Sequence, residues 1–148
     1  MAIPTGSGTE TLHSHHFTEI DGAQDLIYGA QHHIYTVLSV VIYCGAVAAA
    51  TDIIRFYMSA WDNHGGISEA EVNIFQANIA PLETFVWNDK FSFNGYEPTG
   101  MSGTLSTAAE QIALAAQGGS VDQVFKCTCS NVADDYDVTV TYIDQDFS

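Results

Sequence analysis

Apolar residues recur at every second position over short stretches of this chain, a spacing that predicts strands rather than helices. Across Asp52–Trp61, Ile54, Phe56 and Met58 face one way and Arg55, Tyr57 and Ser59 the other. Phe85, Trp87, Phe91 and Phe93 share a face with Asp89, while Val86, Asn88, Lys90 and Ser92 share the opposite one. Asn88-Asp89 reads as a bulge or a turn that splits this run in two. Near the C-terminus, Tyr136, Val138, Val140 and Tyr142 fall on one face. Ile34–Tyr43 is β-branched and aromatic on both faces, the composition of a central strand covered on both sides. Thr11–Phe17, Glu71–Ala77 and Val121–Cys129 read as further strands. Asn63-His64-Gly65-Gly66, Pro81, the Tyr96–Gly103 loop and Asn131–Asp135 supply the breaks between them.

One segment departs from period two. Residues 106–117 are rich in alanine and other good helix formers, Ser106 or Thr107 can cap the start, and Gly118-Gly119 can cap the end. A short inserted helix is expected there, with a strand over Gln111–Gln117 as the alternative. Seven or eight closely spaced strands with one helix predict an all-β protein, an antiparallel β-sandwich of jelly-roll-like form. Residues 1–10, opening with a Gly- and Ser-rich run, read as a flexible N-terminal arm, and residues 11–148 as one sandwich domain.

Charge narrows the function. The 148 residues include three Lys and Arg (Arg55, Lys90, Lys126) against 18 Asp and Glu, a net charge of -15. Such a field repels phosphate polymers and anionic headgroups, so neither nucleic acid nor membrane is an expected partner. With 47% hydrophobic residues the acid sits on a chain that has a core, unlike a disordered acidic tail. No apolar run reaches membrane-spanning length, and the first residues lack the basic and apolar regions of a secretory signal. Synthesis in a cytoplasm is expected.

Candidate chemistry is sparse. His13, His15, His16, His32 and His33 form the one cluster that invites a metal; His13 and His15 share a strand face, but no carboxylate or thiol neighbour in sequence completes a ligand set. The plainer reading is a polar outward face. Asp134-Asp135-Asp137, Asp144 with Asp146, and Glu69 with Glu71 sit in turns or near the terminus, where solvated acid is the default, and none has the spacing of a calcium loop. Cys44, Cys127 and Cys129 read as small buried hydrophobes; Cys127 and Cys129 point to one face, and a bridge from Cys44 to one of them is the alternative. No nucleophile elbow, phosphate loop or dinucleotide fingerprint occurs. No catalytic residue and no cofactor are expected, and the chain reads as a non-enzyme.

Four short blocks carry a resemblance. Ala2-Ile3-Pro4-Thr5-Gly6-Ser7-Gly8-Thr9-Glu10 resembles the opening of small virion structural proteins of tailed bacteriophages, notably marine and cyanobacterial ones. His33–Ser39, Glu83–Lys90 and Val138–Asp146 resemble three further segments of such proteins. The stretch between Asn94 and Val121 is longer than that pattern. The resemblance implies a β-rich virion component: a capsid decoration (cement) protein on the capsid surface or, alternatively, a tail- or fibre-associated module that binds a host surface glycan. It brings no catalytic residues. A decoration protein binds the major capsid protein and other virion proteins as a symmetric homo-oligomer, and a trimer suits threefold lattice positions. Ile3, Pro4, Leu12, Phe17, Trp61 and Tyr96 are the candidate partner contacts. Residues 1–17 are expected to order on binding by adding a strand to a neighbour's sheet.

Overall fold

The alternation in the sequence becomes two stacked sheets. The computed structural model describes residues 9–62, 67–96, 107–109 and 122–147. These form nine strands: β1 (Thr9–Ile20), β2 (Gln24–Tyr28), β3 (His33–Ala46), β4 (Ile54–Asp62), β5 (Ile67–Ala77), β6 (Thr84–Trp87), β7 (Phe91–Asn94), β8 (Val124–Cys129) and β9 (Asp135–Asp146). In sheet A the order is β1-β9-β3-β6, with β7 also paired to β3; in sheet B it is β2-β8-β4-β5. All pairings are antiparallel.

β6 pairs with Val40–Tyr43 and β7 with Ile34–Val37, so the two are one edge strand broken at residues 88–90, as the Asn88-Asp89 signal predicts. With that strand counted once, the chain crosses between sheets at every step except β4 to β5, and each sheet has four strands. This is the strand order of a jelly roll, and the expected fold class holds.

The core lies between the sheets. Val37, Val40, Ile42 and Cys44 of β3 meet Tyr136, Val138 and Val140 of β9 on one side and Ile54, Phe56, Phe125 and Cys127 on the other, all fully buried. Aromatic rings bridge the layers near the β5–β6 margin. Phe56 stacks on Phe75 (4.4 Å between centroids), Phe75 on Trp87 (4.8 Å), and Phe91 meets Phe125 edge-on (5.3 Å). Phe85, Trp87, Phe91 and Phe93 do share the core side of sheet A, opposite Ile42, Val40, Val37 and Tyr35.

Several details differ from expectation. β3 is central, but among the described residues only one of its faces is covered, and on the other Tyr43 is 37% exposed. The branched residues of that face reflect strand propensity rather than a second covering layer. β2 had no period-two signal because a register shift between Asp25 and Ile27 buries Leu26 and Ile27 together. β1 begins at Thr9, so Thr9 and Glu10, assigned to the arm, pair with Asp146 and Gln145. Of the expected helix over 106–117, only 107–109 fall within the described residues; the 63–66 turn and most of the 96–103 loop lie outside them.

The acidic turns are not uniformly solvated either. Asp134 is 2% exposed because its carboxylate accepts the Ala48 N–H (2.8 Å) and the Asn131 N–H (3.0 Å). Asp52 accepts the Ala49 N–H (2.8 Å). Each carboxylate replaces water with backbone donors and closes a loop. Cys127 and Cys129 do share one face, and all three cysteines are free thiols. Burial pushes the Cys127 thiol up to about 12 and raises Cys44 and Cys129 as well.

Candidate functional site

The two outer faces of the sandwich are chemically unlike. On sheet A, antiparallel register sets side chains in rows across the strands. One row runs Leu12, Ile143, Thr36, Ser92. The next runs Ser14, Thr141, Ser39, and the third His16, Thr139, Val41, Val86. No Asp, Glu, Lys or Arg occurs in these three rows. Charge appears at the margins: Glu10 in the row Glu10, Gln145, Ile34, Asn94, Asp137 opposite Tyr43 at the far end, and the exposed Asp89 and Lys90 in the break between β6 and β7, at the edge beside the middle row. On a chain of net charge -15 this is an uncharged window.

The window is ordered by short hydroxyl contacts. Ser14 Oγ meets Thr141 Oγ1 at 3.2 Å, Thr36 Oγ1 meets Ser92 Oγ at 2.8 Å, and His16 Nδ1 meets Thr139 Oγ1 at 2.7 Å. Apolar residues flank the hydroxyls. Leu12 is 68% exposed at the β1 edge and Val86 56% exposed at the β6 edge, with Tyr43 beside the β6 end. A face of hydroxyls and small apolar groups is cheap to dehydrate and needs no counter-charge. The described geometry suits it to contact with another protein.

Sheet B presents charge instead. Arg55 and Lys126 both lie on its outer face, alternating with buried neighbours. Arg55 donates to Asn73 Oδ1 (2.7 Å) and Glu71 Oε2 (3.1 Å), and its Cζ sits 4.2 Å over the Tyr57 ring. Lys126 Nζ lies 3.6 Å from Asp25 Oδ1. Tyr57 is 5% exposed although it points outward, with Arg55 lying over its ring and Lys126 opposite it on β8.

The residues singled out from sequence are distributed as follows. Leu12 lies in the uncharged window, whereas Phe17 is on the core side of β1, opposite Val138, and packs against the core. Tyr96 is half-buried and bridges to Asp122 at one end of the sandwich. Trp61 lies on β4 at a position where only the backbone is described, and Ile3 and Pro4 fall outside the described residues. Among the described side chains, neither Phe17 nor Tyr96 lies in the window with Leu12. The sequence reading missed the window because its rows combine four strands distant in the chain, and no single segment shows it.

The histidines need a correction. His13 and His15 lie opposite Tyr142 and Val140, so they point to the core side of sheet A rather than outward. They stay partly accessible at the rim, where both rings lie 5.3 Å from that of Tyr142. His13 also meets Thr11 Oγ1 at 3.1 Å. His33 does have carboxylate neighbours: its Nδ1 is 2.7 Å from Asp144 and its Nε2 3.6 Å from Asp146. Among the described residues no group of three or more His, Cys, Asp or Glu is placed to hold a metal, and no helix is long and apolar enough to cross a membrane.

No family model and no curated protein matches the chain. Among solved structures, a chain of Bacillus endospore appendages, described as disulfide-linked pili, is similar over 100% of this chain and 96% of that one, at 9% identity and TM-score 0.44. A chain of the T13 particle of infectious bursal disease virus is similar over 95% of this chain at 7% identity and TM-score 0.41. A chain of broad bean stain virus is similar over 84% at 14% identity and TM-score 0.34. This chain spans 36% and 56% of the length of those two viral chains. Likenesses this loose carry no functional argument, and the topology rests on the strand pairing itself.

Proposed function

We propose that the chain is a non-enzymatic virion structural protein of a tailed bacteriophage, of the capsid decoration type. It sits on the capsid surface, holds the major capsid protein through the outer face of sheet A, and stabilises the lattice as a symmetric oligomer. The observation that carries this reading is the uncharged window: a chain of net charge -15 keeps three adjacent rows of sheet A free of charged side chains. An acidic surface keeps copies soluble before assembly. A neutral face within it gives a docking area where no carboxylate has to be dehydrated. The four sequence blocks that resemble phage virion proteins give the partner its class. The glycan-binding alternative needs exposed rings around a cleft; here Phe56, Phe75, Trp87 and Phe91 stack on one another inside the sandwich, and the exposed Tyr28 and Tyr43 stand on different sheets.

The test is co-sedimentation of the purified chain with capsids that lack it, followed by imaging of the decorated particle. Saturable binding at lattice positions, with sheet A facing the shell, is expected. Failure to bind, or location of the chain on the tail at low copy number, would end the reading.

A further inference from the structure

Four strand edges are open in the described sandwich, and they are not equivalent. β2 is five residues long and its pairing shifts register. The β6–β7 edge is broken at 88–90. β5 carries Glu69 and Glu71 and shifts register twice against β4. β1 differs from all three. From Thr9 to Phe17 it pairs with β9 without a shift, and the irregularity comes only after Phe17, where Glu19 takes a φ of 55°. An unbroken edge of this length, with no Pro, no Lys and a single charged residue, Glu10, carries little of what usually keeps edges from pairing.

We infer that β1 pairs antiparallel with β1 of a second copy, continuing sheet A across a twofold axis. The regular stretch Thr9–Phe17 is centred on His13. In an isologous antiparallel pair residues of like parity oppose one another, so full overlap sets His13 against His13 of the second copy. The same register sets Glu10 against His16 and Leu12 against Ser14. Glu10 is the one acid in the stretch and His16 one of its three histidines. A shift of two residues either way removes that match and shortens the overlap.

Each group is anchored to β9 through one polar atom and keeps a second. His16 is held through Nδ1 by Thr139, and Glu10 Oε1 accepts from Gln145 Nε2 at 2.9 Å. His16 Nε2 and the second oxygen of Glu10 have no hydrogen-bond partner among the described residues. The pairing rests on the reading of the chain as an assembly protein, and it replaces the trimer that lattice geometry alone suggests with a twofold unit. Its edge contact leaves the window of sheet A free for the shell.

Native mass measurement of the full chain, with mild oxidation of a His13→Cys variant, tests it. A dimer is expected, and it should strengthen as salt screens the repulsion between two acidic copies. His13→Cys should crosslink to itself at least about tenfold faster than Leu12→Cys, whose sulfurs are offset by two residues in this register and exceed disulfide reach. The unsubstituted chain keeps the test independent of whether the variants fold. A monomer at all salt concentrations, a cyclic trimer, or equal crosslinking of the two variants would overturn the pairing. A monomer that still decorates capsids would remove this inference alone, whereas a dimer that binds no capsid would remove the proposed function and leave the pairing standing.

Discussion

The outer faces of sheets A and B are built on the same core and by the same alternation, yet one keeps its charge at the margins and the other carries it across the middle. Sheet B keeps two of the chain's three fixed cations and spends them on Glu71, Asn73, Tyr57 and Asp25. That arrangement is complete in the single chain. Sheet A pairs hydroxyls with hydroxyls and leaves Leu12 and Val86 largely in water. A face satisfied by its own charges gains little from a partner. A neutral face with exposed apolar margins gains by being covered. The difference teaches where this molecule is finished and where it is not.

A single charge in the window should break the contrast most sharply. Thr141 lies in the middle row between Ser14 and Ser39. Thr141→Asp should weaken capsid binding at least about 100-fold, about 2.7 kcal/mol, since a carboxylate without a counter-charge must then be dehydrated at the contact. Thr128→Asp on the outer face of sheet B, opposite Arg55, should leave binding unchanged. Both variants should fold, as read by circular dichroism. Equal loss from both would show that the partner does not distinguish the faces.

The legible part of this molecule was the local part. Ile54, Phe56 and Met58 on β4, and Tyr136, Val138, Val140 and Tyr142 on β9, declared their buried side because one strand's alternation depends on the core directly beneath it. The break at Asn88-Asp89 showed for the same reason. β2 stayed hidden because its register shift buries Leu26 and Ile27 side by side and erases the alternation. β3 misled in the opposite direction, since Val41 and Tyr43 look like core but lie in the window or beside it. Burial of Asp134 was invisible because its donors, Ala48 and Asn131, come from two separate loops. The window and the β1 edge exist only once register is known. Of the expected contacts with described side chains, Leu12 lies in the window and Phe17 and Tyr96 do not.

The core common to both faces gives a pH test. Burial raises the Cys127 thiol from an ordinary 9.0 to about 12. Above pH 9 the unfolded chain gives up that proton while the folded chain keeps it. Stability is therefore fully present below pH 9 and lost as pH rises toward 12, by about 1.4 kcal/mol per pH unit from this group. Denaturant midpoints measured from pH 8 to 11 should fall accordingly, and Cys127→Ser should flatten the slope. An unchanged slope would remove Cys127 as the cause.

A smaller effect is expected from Arg55→Met. It removes the contacts to Glu71 and Asn73 and the cation over Tyr57 but keeps much of the aliphatic cover, so about 1 kcal/mol of stability should go. For a chain of this size the melting temperature should drop by about 2–4 °C. Capsid binding should not change, because this face is satisfied within the chain.

The smallest expected effect is the most discriminating about sheet B. Lys126 and Asp25 are 3.6 Å apart with side chains 29% and 49% exposed, so water screens most of their attraction. In a double-mutant cycle with Lys126→Met and Asp25→Asn, their coupling in the free chain should be below about 0.5 kcal/mol. The same cycle run on the capsid-bound chain should return the same value, since the outer face of sheet B stays in water there. A coupling that rises well above about 1 kcal/mol on binding would mean that water has left the pair, and that the charged face, not the neutral one, meets the shell.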